Sequence, residues 1–153
     1  MSFNEALTEL KITLPKPAKP VGSYSAFKIL GKQVFISGQL PIDIKGSMIK
    51  GTVGQDIQLV DAKKAAYLCC LNILSQLKEA CGGDLNKVKN CIKITGYVNS
   101  DNNFINQADV LNSASELLTN VFGKSGIHAR AAISVNSLPL GAAVEIESIF
   151  EIN

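Results

Sequence analysis

One arginine, Arg130, and one histidine, His128, stand two positions apart in a chain of 153 residues whose other basic residues are all lysine. This scarcity decides much of the available chemistry. A metal site needing two imidazoles cannot be built within one chain. A Ser-His-Asp triad or a two-histidine ribonuclease mechanism would have to rest on His128 alone. The four cysteines, Cys69, Cys70, Cys81 and Cys91, form no CxxC pair and lack the partners of a zinc site. They read as reduced thiols packed as small apolar groups.

The residues around Arg130 alternate. Ala129, Ala131, Ile133 and Val135 are apolar, and His128, Arg130, Ala132 and Ser134 fill the positions between them. Further on, Val144, Ile146, Phe150 and Ile152 alternate with Glu145, Glu147 and Glu151. The two runs read as a hairpin whose apolar sets share the helix-covered face, which places Arg130 on the opposite face, across from Glu145 and Glu147. One reading of that face is an exposed cross-strand ion pair, worth about 0.2–1 kcal/mol. The other is an anion site, because a guanidinium offers a planar fork that grips a carboxylate through two hydrogen bonds and an ammonium does not. A lysine-rich chain that uses arginine once, at this position, favours the anion site.

The elements that would position these groups are legible from periodicity. Asn4 to Leu10 suits one or two helical turns, and Leu14-Pro-Lys-Pro-Ala-Lys-Pro20 favours extended backbone. Strands are expected at 25–30 and 33–37 around a Gly31-Lys32 turn, followed by a glycine-rich loop from Gly38 to Asp56. A helix is expected from about Gln55 to Cys81, capped by Asp56 and stopped by Gly82-Gly83, with Ala66, Cys70, Ile73, Leu74, Leu77 and Cys81 inward. The strand at 88–98 would turn Val88, Ile92, Ile94 and Val98 to one face. A second helix, 104–122, follows a Ser100-Asp-Asn-Asn103 cap and buries Val110, Leu111, Ala114, Leu117, Leu118 and Val121. Strands at 128–136 and 142–152 complete a ββαβαββ order. It reads as one α+β domain over residues 1–153, with a Pro-rich N-terminal extension at 1–20 and two helices packed on one face of a single sheet.

Composition narrows the partners. A net charge of +2 and the absence of a basic run argue against a dedicated nucleic-acid or membrane-surface binder. No run reaches the roughly 18 apolar residues of a membrane span, and the first residues lack the apolar core of a secretion signal. A soluble, cytoplasmic protein is expected, with an organelle also open. Only 18% of residues are charged, below the roughly 25% of a typical soluble domain. Part of the surface is therefore expected to be covered by other subunits.

Taken together, Val21-Gly-Ser-Tyr24, Ser37-Gly-Gln-Leu-Pro41, Ala129-Arg130, Leu138-Pro139 and Val144-Glu145-Ile-Glu147 resemble, in register, the Rid (reactive intermediate deaminase) family. That family is also called YjgF-like or L-PSP endoribonuclease. The resemblance spans roughly residues 13–152 and leans toward a longer-chain branch. It implies a chorismate-mutase-like fold, a homotrimer with clefts between subunits, and hydrolysis of enamines and 2-imino acids to 2-keto acids and ammonia. It also implies roles for residues. Arg130 would hold the substrate carboxylate, and Glu145 would activate water. Tyr24 would come from a neighbouring subunit, Ser37 and Gly38 would contact substrate, and Asn112 would stand near the same cleft. Neither metal nor organic cofactor is implied. The chain departs from common members in carrying His128 where they have Pro and Ala132 where they have Cys. His128 is then either an added proton donor or a filler of the altered wall. Two other functions stay open: a single-strand-specific endoribonuclease, and a non-catalytic trimer that binds small carboxylates or a partner protein.

Overall fold

The computed structural model describes residues 1–153. In chain order the elements are helix α1 (Phe3–Glu9), strands β1 (Phe27–Leu30) and β2 (Gln33–Gln39), helix α2 (Leu59–Ala80), strand β3 (Val88–Asn99), helix α3 (Gln107–Phe122), and strands β4 (Ala129–Val135) and β5 (Val144–Ile152). The expected ββαβαββ order is present, preceded by α1. The strands form one mixed sheet in the order β1-β2-β5-β3-β4, in which only the β3–β4 pair is parallel.

The two long helices carry the apolar stripes that their periodicity predicts. Ile73, Leu74 and Leu77 of α2 and Val110, Leu111, Ala114 and Leu118 of α3 are wholly inaccessible, as are Ile94, Val98, Val144, Ile146 and Phe150 of the sheet. Gly96 of β3 permits the close approach of α3, since a Cβ there would collide with the Leu111 side chain. The short α1 docks through Phe3, whose ring meets Phe122 edge-on at 4.9 Å. The proline-rich segment after it is tied to α2, with Ser75 Oγ donating to the Pro15 carbonyl and Gln76 Nε2 to that of Ala18.

Several boundaries and faces differ from the sequence reading, each for a local reason. α2 starts at Leu59 because Asp56 does not cap it; the Asp56 carboxylate accepts from Thr52 N at 2.9 Å inside the loop. α3 starts at Gln107 because Asp101 accepts from Asn103 N and closes a turn of its own. In β3 a register shift between Cys91 and Lys93 places Cys91 in the core and turns Ile92 outward.

The largest correction concerns the last two strands. They are not a hairpin: β3 lies between β4 and β5 and pairs with both. The face of β4 is also inverted relative to expectation. Arg130 registers with buried Ile94, Ala132 with Gly96 and Ser134 with buried Val98, so the even positions face the helices. The apolar Ala129, Ala131 and Ile133 lie instead on the open face of the sheet. β4 is an edge strand, and its inward positions meet the polar flank of α3 rather than the centre of the core. Its alternation therefore records the flank of α3 on one side and the uncovered face of the sheet on the other.

Candidate functional site

The candidate residues fall into two groups on opposite faces of the sheet. On the helix side, at the β4 edge, Arg130 Nη1 donates to Asn112 Oδ1 at 2.9 Å and to Ser115 Oγ at 3.1 Å. Asn112 and Ser115 stand three apart on α3 and so present one face to the strand. No carboxylate lies within ion-pair distance of Arg130; the ion pairs of the chain are Lys63–Asp109 and Lys89–Glu151. Both acceptors take the same nitrogen, Nη1, and the Nε and Nη2 groups make no hydrogen bond within the chain. The guanidinium is thus anchored at one corner by neutral groups, with its charge undiminished and its other donors uncommitted. A guanidinium in this state has the donors to take a planar anion.

On the open side, Glu145 of β5 registers with Tyr97 of β3. A β-bulge between Ile36 and Gln39 places Ser37 and Gly38 against it. A Cβ at Gly38 would stand 2.7 Å from Glu145 Oε1, so any side chain there would displace the carboxylate from this position. Burial, and secondarily the neighbouring Glu147, push the Glu145 carboxyl above the usual range. Glu147 accepts a hydrogen bond from Tyr97 Oη at 3.0 Å. Ser37 Oγ gives its proton to the Ser25 carbonyl at 2.6 Å, so toward any ligand its hydroxyl acts as an acceptor. Tyr24 is 54% exposed and lines a cleft of about 80 Å³ with Val21, Gly38, Asn72 and Leu140. A separate shallow depression of about 330 Å³ includes Ser37 and Glu147.

The structure brings Arg130 and Asn112 together, and separately gathers Tyr24, Ser37, Gly38 and Glu145. It does not bring Arg130 to Glu145 within one chain. Sequence reasoning missed Ser115, whose three-residue spacing from Asn112 was the available signal. It also missed Leu140, which holds a left-handed backbone (φ 59°, ψ 14°) at the rim of the Tyr24 cleft. Such a conformation in a non-glycine residue costs about 1–3 kcal/mol and is kept only where surrounding structure imposes it. The cysteines are all buried, with the Cys91 thiol pushed up to about 12 by desolvation, so none is a nucleophile.

The profile of the family described as "YjgF/chorismate mutase-like, putative endoribonuclease" matches residues 5–151. The chain belongs to this family. It is 40% identical to protein TCP17 of Trypanosoma cruzi over 96% of this chain and 92% of that protein. The crystal structure of Atu1372 from Agrobacterium tumefaciens, a protein of unknown function, superposes with a TM-score of 0.91 at 42% identity, covering 99% of this chain and 94% of the other. The human 2-iminobutanoate/2-iminopropanoate deaminase is 30% identical over 90% of this chain and 86% of its own length. The mixed five-stranded sheet with its helices is accordingly a chorismate-mutase-like YjgF fold. No helix in it is long and apolar enough to cross a membrane.

Proposed function

We propose that this YjgF-family chain hydrolyses 2-imino acids, and the enamines that tautomerise to them, to 2-keto acids and ammonia. The observation that carries this reading is the state of Arg130, a sole guanidinium held by neutral acceptors with Nε and Nη2 uncommitted. A 2-imino acid offers a carboxylate to that fork and places an electrophilic C=N carbon next to it. Water adds to this carbon, the nitrogen takes up protons, and ammonia leaves as the carbonyl forms. Glu145 takes the proton from the attacking water; a carboxyl raised by burial is a better base near neutrality than an ordinary one. Tyr24, Ser37 and Gly38 line the Glu145 side, and Asn112 steadies Arg130. The reaction needs positioning and water activation, and the proposal includes neither metal nor cofactor.

Arg130 and Glu145 face opposite sides of one sheet, so a site containing both draws on two copies of the chain. We place it between subunits of a homotrimer, with Tyr24, Ser37, Gly38 and Glu145 from one protomer and Arg130 and Asn112 from the next. The open face supports this assembly, because Leu30 (72% exposed), Phe35 (38%) and Ile133 (47%) are apolar there and uncovered by the chain's own helices. The unpaired thiols suit a reducing, cytoplasmic setting. RNA cleavage fits less well, since both ring nitrogens of the only histidine are engaged within the chain.

The test supplies an imino acid generated in situ by an amino-acid oxidase and measures ammonia and keto-acid release. Wild-type protein accelerates release, and Arg130→Ala loses about 10²–10³-fold in kcat/KM. An Arg130→Ala chain as fast as wild type would refute the assignment.

A further inference from the structure

His128 occupies a position whose role the reaction above does not use, and its hydrogen bonds define that role. Nδ1 lies 2.6 Å from the Gly126 carbonyl oxygen. A carbonyl can only accept, so Nδ1 carries the proton. In the neutral ring Nε2 then bears a lone pair. Its partner is Ser115 Oγ at 2.9 Å, which must donate to it. A serine hydroxyl has one proton, and this one is spent on His128. What Ser115 turns to Arg130 Nη1, 3.1 Å away, is therefore a lone pair. Each link fixes the direction of the next.

We propose that His128 and Ser115 form a one-directional hydrogen-bond relay that aims the Arg130 guanidinium, with both acting as positioning residues. The relay starts from a rigid point. Gly126 packs directly onto the backbone of α3, where a Cβ would collide with the Leu118 carbonyl. The Gly126 carbonyl is thus set relative to the same helix that carries Asn112 and Ser115. His128 stands just before β4 and Arg130 within it, and both side chains reach Ser115 on α3. The guanidinium is consequently located by two neighbours on α3, one of which is itself polarised by His128.

The choice of neutral groups is what makes such a relay useful for anion binding. A carboxylate in place of Ser115 would fix Arg130 equally well, but it would neutralise the cation and compete with the incoming carboxylate. A hydroxyl whose proton is already committed holds Nη1 as a pure acceptor and leaves the charge intact. Without an acceptor at position 128, the hydroxyl proton is free to rotate, for example toward the carbonyl one turn back on α3. The lone pair then no longer points reliably at Nη1. With both ring nitrogens engaged within the chain, His128 has no proton free to give to substrate.

The functional part of this inference rests on the carboxylate-binding role proposed for Arg130, but its geometry can be tested without turnover. The chain has one histidine and one arginine, so ¹⁵N spectra of the assembled protein show a single imidazole and a single guanidinium. In the neutral ring the proton is expected on Nδ1. Rotation of the Arg130 guanidinium about its Nε–Cζ bond should be restricted, because Nη1 is held by two acceptors. Ser115→Ala and His128→Leu should both release it, whereas Ser115→Thr, which keeps the hydroxyl, should restore the wild-type signal. In turnover, Ser115→Ala should raise KM roughly five- to tenfold with kcat within about twofold, the signature of weakened ground-state binding. A proton on Nε2, or an Arg130 signal equally restricted in both variants, would overturn the relay. Restricted wild-type and mobile variant spectra alongside unimpaired turnover of Arg130→Ala would uphold the relay and refute the proposed reaction instead.

Discussion

The Arg130 region and the Glu145 region solve opposite problems with the same sheet. Arg130 sits at the edge strand β4, beside the polar flank of α3, and is surrounded only by neutral acceptors that preserve its charge. Glu145 sits on central strand β5, half-buried, against Gly38, with Glu147 as its nearest charged company. One region keeps a cation ready for an anion. The other makes an anion uncomfortable and so more willing to take a proton. The comparison teaches that a small domain poises two groups oppositely by where it places them: at the lateral edge beside a helix, or over the uncovered centre.

The difference can be broken from either side. The largest effect is expected from Glu145→Gln, which keeps the shape and removes the base. Turnover should fall about 10²–10³-fold while a 2-keto acid still binds, as isothermal calorimetry would measure. Stability should move the other way. Because the folded-state carboxyl lies above its ordinary value, its contribution is fully present below the unfolded pKa and lost as pH rises through the folded one. At neutral pH the ionised side chain therefore opposes folding, and Glu145→Gln should leave Tm unchanged or raised in scanning calorimetry. A pronounced drop in Tm would contradict the strained-carboxylate description.

A smaller effect is expected from Gly38→Ala. The added methyl would stand 2.7 Å from Glu145 Oε1 and 2.8 Å from Cδ, so the carboxylate must move. Turnover should drop about tenfold, with little change in denaturant melts, because only the flexible Glu145 side chain has to shift. Wild-type turnover in this variant would detach the bulge from the site. The smallest effect belongs to Glu147→Gln. Burial is the main cause of the Glu145 shift and Glu147 the lesser one, so removing it should carry the acid limb of the kcat/KM–pH profile to lower pH without abolishing activity. A limb that stays put or rises would mean that Glu147 does not act on Glu145 electrostatically.

The fold was readable in sequence wherever one face dominated. The stripes of α2 and α3 repeat at three and four residues because each helix buries a single face, and every residue assigned to them is buried. The β1–β2 hairpin was readable because Gly31, at φ 61°, supplies the turn. β4 was misread because its small apolar residues line an open face that the chain's own helices do not cover. Apolar alternation reports a hidden side without saying what hides it. Ile92 was misread because a bulge changes the phase of β3, which composition does not encode. In the candidate site, Arg130 was conspicuous by rarity and Glu145 by family likeness, but their separation depends on the inverted face of β4 and on β3 lying between their strands. Strand order is a long-range property that no local spacing records. Ser115 was missed because a helix serine is common and acquires meaning only through its neighbours.

Mixed assemblies test directly whether Arg130 and Glu145 meet across a subunit boundary. Arg130→Ala and Glu145→Gln chains, each inactive alone, are unfolded together in equal amounts, refolded, and assayed for ammonia release. If each site takes Arg130 from one protomer and Glu145 from the next, random assembly gives an intact pair at about one quarter of the sites and recovers about one quarter of wild-type activity. Activity that stays at the level of the separate variants, in a mixture shown by mass spectrometry to contain mixed oligomers, would contradict it.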